Sequence, residues 1–161
     1  MNTQILTSDV RKYVAEHLVT VFDTMLSFQA VVVAEDAVTP FTGAHVSGSV
    51  GIVGAAVSSQ LYFHITAPFA IEAAAAMLSL PPAEITNESE VNDLVGELAN
   101  MLGGGLKSWL CDAGVACVLT TPAVIRGTAF TVSAKPGIEV LQLGFDCNGR
   151  RGLVAVHLKF N

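Results

Sequence analysis

Glu97 and Asn100 stand three residues apart in a stretch whose apolar residues recur at helical spacing. Asp93 comes four residues before Glu97, and Gly104 four after Asn100. On a helix, steps of three and four stack side chains along one strip of surface. The strip sets a carboxylate beside a carboxamide, with a second carboxylate on one flank and a position lacking a side chain on the other. A carboxylate accepts hydrogen bonds and pairs with cations, and a carboxamide both donates and accepts. Two readings stand at this level: a surface that engages a partner, and an ordinary solvated helix face. Glu-x-x-Asn is too short a pattern to decide between them.

No other constellation in the chain points to chemistry. His17, His45, His64 and His157 are scattered, with no His-Glu-x-x-His or comparable metal spacing. Cys111, Cys117 and Cys147 make an odd count without metal or redox spacing, and read as reduced, partly buried thiols. The Gly-x-Ser-x-Gly of a hydrolase nucleophile is absent. Gly103, Gly104 and Gly105 followed by Leu106, Lys107 and Ser108 superficially suggest a phosphate loop. Leucine rather than glycine precedes the lysine, however, and the run falls inside a helix. Glycine in a helix interior costs about 1 kcal/mol relative to alanine. The three glycines either admit another backbone or a partner's surface beside Asn100, or relieve crowding at a bend. Close approach is the preferred reading, because Gly104 continues the polar strip.

The element that positions the strip is a helix expected over residues 87–114. Val91, Leu94, Val95, Leu98, Met101, Leu102, Leu106, Trp109 and Leu110 form its apolar stripe. Asn87 with Glu90 has capping-box spacing, and Gly114 suits the left-handed residue that ends a helix. An earlier helix is expected over 9–28, capped by Thr7 or Ser8, with Val10, Tyr13, Val14, Leu18, Val21, Phe22 and Met25 inward. A shorter one fits 68–80, with Pro68 in its first turn. Strands are expected at 30–34, 46–53, 57–65, 115–119 and 127–134, with a loop at 35–43. In the second of the paired strands, Leu61, Phe63 and Ile65 face one side and Gln60, Tyr62 and His64 the other. A final hairpin turns at Asn148-Gly149 between two alternating runs.

This order predicts an α+β fold, an antiparallel sheet covered on one face by two long helices and one short helix. A long helix followed by strands occurs twice, a faint internal duplication. Residues 1–161 show no composition shift and are expected to form a single domain.

Of the 161 residues, 52% are hydrophobic and 14% charged, and the mean hydropathy is +0.56. So little polar surface predicts a homo-oligomer that buries some apolar area. The net charge of −6, without a Lys/Arg cluster, argues against nucleic acid or anionic lipid as a partner. The opening residues do not form a signal peptide, and the most apolar run, 65–80, contains Pro68 and Glu72 and is short for a membrane span. A cytoplasmic protein is expected.

The segment from Asp93 through Glu97, Asn100 and Gly103 to Lys107, followed by Thr121-Pro122 and a strand, resembles the CheC/CheX/FliY family of chemotaxis phosphatases. The signature there is an acidic or serine residue, then Glu, then Asn three further on, and a proline after the next turn. Asp93, Glu97, Asn100 and Pro122 fall into those places; Pro122 stands one residue early, and Gly104 replaces a residue that is often Asn. The order of elements matches over almost the whole chain. Two-site members carry the pair on both long helices, whereas the first helix here offers Glu16-x-x-Val19, so the chain is similar to the single-site CheX type.

The resemblance implies hydrolysis of the aspartyl phosphate of a CheY-like response regulator. Asn100 would hold a water in line with phosphorus, and Glu97 would pair with the receiver's lysine. Asp93, Gly104 and Pro122 would belong to the partner-binding surface. The receiver would supply the phosphoaspartate and Mg²⁺, leaving this chain no cofactor of its own. The resemblance also implies a homodimer.

Overall fold

The computed structural model describes residues 5–34, 43–128 and 130–161. The loop expected at 35–43 lies outside these residues except for Gly43. Three helices, α1 (Thr7–Leu26), α2 (Ala67–Leu78) and α3 (Glu88–Asp112), cover one face of an antiparallel sheet. The strands are β1 (Val31–Val32), β2 (Ala44–Val53), β3 (Ser58–Thr66), β4 (Val118–Leu119), β5 (Ala123–Thr128), β6 (Glu139–Cys147) and β7 (Arg150–Leu158). Their order across the sheet is β1-β6-β7-β3-β2-β4, with β5 also pairing with β2.

Local chemistry fixes the helix ends. Asp9 accepts the Leu6 N–H at 3.1 Å, so α1 starts at Thr7, earlier than expected, and left-handed Ser27 (φ 56°) stops it. Thr66 caps α2 by accepting the Phe69 N–H at 3.3 Å. Asn87 caps α3 by accepting the Ser89 N–H at 2.9 Å. Glu90 does not return the bond, so the capping box is only half formed among the described residues. Asn148 (φ 52°) and Gly149 (φ 85°) supply the positive angles of the β6–β7 turn, and Cys147 pairs with Arg150 in register.

The stripe of α3 packs as the spacing requires: Val91, Leu94, Val95, Leu98, Leu102, Leu106 and Leu110 are buried, while Met101 and Trp109 are partly so. In α1 the stripe also holds, except that Met25 is exposed near the helix end. The helix-facing side of the sheet contributes Val46, Val50, Leu61, Phe63, Ile65, Leu143, Phe145, Val154 and Val156 to the same core.

Two strand expectations need correction. Only Val118–Leu119 of 115–119 is paired, and the strand expected at 127–134 instead spans Ala123–Thr128. β5 binds β2 at one side of the sheet, while β6 lies beyond β7. The chain from 130 to 138 must therefore cross the sheet instead of extending it. The helices occupy the other face, so it crosses opposite them, and Phe130 stacks on His45 with ring centroids 4.0 Å apart. Its alternation of half-buried Phe130, Val132 and Ala134 with exposed Thr131, Ser133 and Lys135 has the period of a strand but serves a covering strap.

Candidate functional site

α3 is seated on β2 more closely than ordinary side chains allow. A Cβ on Gly48 would stand 2.8 Å from the Val95 carbonyl oxygen and 2.7 Å from the Ala99 Cβ. A Cβ on Gly103 would stand 2.4 Å from Val50. β2 thus presses against the back of the turns that carry Glu97 and Asn100, leaving the helix little freedom to tilt.

The front of those turns faces out. Asp93 and Glu97 are exposed, and Asn100 and Gly104 are half-buried. Among the described residues, the side chains of Asp93, Glu97 and Asn100 make no hydrogen bond or ion pair. The strip is bordered by β4 and β5 on one flank. Arg126 Nε donates to Asn92 Oδ1 at 2.6 Å, Val124 lies against Gly96, and Leu119 lies against Gly103 and Gly104. Pro122 is half-buried in the link between Leu119 and Val124. All four residues expected on the strip share it, with Pro122 in the link along its flank.

The three glycines divide their work. Gly105 admits the ring of His17 from α1, whose Nε2 would lie 2.2 Å from an added Cβ and donates to the Met101 carbonyl at 3.0 Å. Gly103 admits Val50. At these two positions the groups that come close are side chains of this chain, not the other backbone or partner surface expected there. Only Gly104 faces the strip, with Leu119 at ordinary contact distance, 3.8 Å, from an added Cβ. On α1, Glu16 and Val19 are both exposed, and no amide accompanies the carboxylate.

A second polar cluster was not evident in the sequence. His45, His64 and His157 meet on the sheet face opposite the helices, joined by Ser47, Ser49, Gln60 and Tyr62. Ser47 Oγ and His64 Nδ1 share a 2.5 Å hydrogen bond, and the Tyr62 ring lies 6.0 Å from His64 and 5.0 Å from His157. Burial pushes His64 down to about 4, helped by the charges of His45 and His157; burial also lowers His157. The period-two alternation of β2, β3 and β7 was the available signal. It places each of these histidines opposite the core-facing valines and leucines of its strand.

Among the described residues, no group of three His, Cys, Asp or Glu is placed to hold a metal ion, and no helix is long and apolar enough to cross a membrane. The strip offers an unengaged carboxylate and amide on a rigid support.

The profile of the family described as chemotaxis phosphatase CheX matches residues 46–146, which include the whole strip. This chain belongs to the CheX family. No curated protein matches in sequence. Among solved structures, the chemotaxis protein CheX from Vibrio vulnificus superposes with a TM-score of 0.79 at 25% identity, covering 97% of this chain and 100% of that one. CheX from Desulfovibrio desulfuricans gives 0.78 at 25% identity, covering 94% and 99%. A complex of CheX with CheY, BeF₃ and Mg²⁺ from Borrelia burgdorferi gives 0.76 at 21% identity, covering 97% and 99%, a likeness of fold. The α+β architecture is thus that of the CheX family.

Proposed function

We propose that this chain hydrolyses the aspartyl phosphate of a CheY-type receiver, with Asn100 orienting the attacking water and Glu97 pairing with the receiver's lysine. One observation carries this reading. Glu97 and Asn100 point outward from adjacent turns without hydrogen-bond or ion-pair partners among the described residues, on a helix clamped from behind by β2.

An acyl phosphate needs little covalent help, and positioning with charge stabilisation carries most of its hydrolysis. The amide of Asn100 holds a water in line with phosphorus; the water oxygen bonds to phosphorus as the bond to the aspartyl oxygen breaks. Glu97, paired with the receiver lysine, sets the register of the helix in the receiver's site. Asp93 adds negative charge one turn away, Gly104 leaves room for the receiver's backbone, and Pro122 gives the flank a fixed shape. Mg²⁺ belongs to the receiver, in keeping with the Borrelia complex of CheX with CheY, BeF₃ and Mg²⁺.

The chain works as a single domain over 1–161, in the cytoplasm, and as a homodimer. The charge-poor composition supports self-association, as do Val31 and Val118, which are 64% and 65% exposed on the short strands β1 and β4. Light scattering at micromolar concentration should give the mass of two chains; one chain's mass would remove the dimer.

The function is tested by following the decay of a phosphorylated CheY-type receiver in Mg²⁺ with and without this protein. Faster decay is expected. Unchanged decay across a panel of receivers that nevertheless bind would favour a binding module over a phosphatase.

A further inference from the structure

α2 has the composition of a buried helix without the location of one. Its only charged residue, Glu72, pairs with Arg150, and its other side chains are all apolar. Phe69, Ala70, Ala73, Ala74 and Ala75 face the core, yet Ile71 and Leu78 are 36% and 48% exposed. A helix apolar all round normally has both sides covered.

Between its C-terminal half and the N-terminal half of α3 runs a groove of about 340 Å³. Ala74, Met77 and Leu78 line the α2 side; Glu90, Asp93 and Glu97, with Leu94 among them, line the α3 side. Two of its carboxylates, Asp93 and Glu97, belong to the strip that carries Asn100. Any molecule whose reaction site receives Asn100 therefore also lies over the mouth of this groove.

We infer that the groove seats a lysine or arginine side chain of the receiver, distinct from its active-site lysine, and so contributes to the choice of receiver. This rests on the proposed function, because it takes the receiver as the occupant. An apolar wall facing three carboxylates set around Leu94 matches a long cationic side chain. The methylenes lie along Met77 and Leu78, and the charged end meets Glu90 and Asp93. Glu97 remains with the active-site lysine. The groove explains why Glu90 is not spent on capping α3 and why the outer side of α2 stays apolar.

The test is binding of a CheY-type receiver loaded with beryllofluoride and Mg²⁺ to the wild type and to Leu78→Ser, Glu90→Gln and Glu88→Gln. Leu78 is 48% exposed, and Glu90→Gln keeps the size of a half-buried side chain, so the fold is retained; matching denaturation midpoints check this. Leu78→Ser and Glu90→Gln should each raise Kd about fivefold or more. The loss in Glu90→Gln should shrink at high salt. Glu88→Gln removes the same charge outside the groove and should bind as wild type. Wild-type affinity in both groove variants would overturn the proposal, as would an equal loss in Glu88→Gln or no binding by the wild type. Turnover is read separately. A wild type that binds through the groove but does not dephosphorylate would leave the groove standing and remove the phosphatase reading. An active wild type with groove variants of unaltered affinity would do the reverse.

Discussion

The outer strip of α3 and the far face of the sheet both gather polar side chains, under opposite conditions. On the strip, Asp93 and Glu97 are exposed, Asn100 is half-buried, and their side chains hydrogen-bond to nothing among the described residues. On the far face, His45, Ser47, Ser49, His64 and His157 are all under 9% exposed, and Ser47 and His64 hydrogen-bond to each other. The first arrangement leaves donors and acceptors for another molecule. The second engages most of them inside the fold: His45 bonds the Gly43 carbonyl, Ser47 bonds His64, and Gln60 bonds Ser49. Histidine is the residue most often suspected of chemistry, yet here its cluster serves the fold beneath Phe130, while an unremarked glutamate and asparagine remain available.

Stability measurements should separate the two surfaces and the core between them. Leu98 is wholly buried behind the strip, and Leu98→Ala should cost about 2–5 kcal/mol of unfolding free energy in a denaturant titration. An unchanged midpoint would mean that the strip does not stand on the core as described.

Next in size is the pH response of the far face. His64 is held near 4, below its unfolded value, so the unfolded chain binds the proton first as pH falls. Its contribution is whole above about pH 6.5 and is lost as pH drops towards 4, on the order of 3 kcal/mol in all. A His64→Gln variant should show a shallower decline over that window, and an identical slope would contradict the buried, neutral imidazole.

The smallest effect belongs to the strip. Asn100→Ala and Glu97→Ala should each change stability by no more than about 0.5 kcal/mol, because no hydrogen bond or ion pair among the described residues is lost. A larger drop in the denaturation midpoint would show that these side chains serve the fold.

The helical stripe from Val91 to Leu110 was legible because it repeats over many turns, and the Asn148-Gly149 hairpin because its turn demands positive φ angles. The strip was legible as a strip, but helical periodicity cannot tell a functional face from a solvated one; the family's motif is what favours the functional reading. The segment beyond β5 misled because Phe130, Val132 and Ala134 alternate like a strand while packing as a strap across the sheet. The triple-histidine cluster and the inward-facing glycines depend on contacts between residues far apart in sequence. Gly105 meets His17 and Gly48 meets Val95, pairings that no local pattern announces.

The central claim is that Asn100 acts on the chemical step and Glu97 chiefly on docking. Steady-state dephosphorylation of a phosphorylated CheY-type receiver by the wild type, Asn100→Ala and Glu97→Ala tests it most directly. Asn100→Ala should lower kcat by about 100-fold or more with little change in receiver affinity. Glu97→Ala should weaken binding, with kcat falling to the extent that a misplaced helix misplaces Asn100. Dephosphorylation by Asn100→Ala at the wild-type rate would contradict the account.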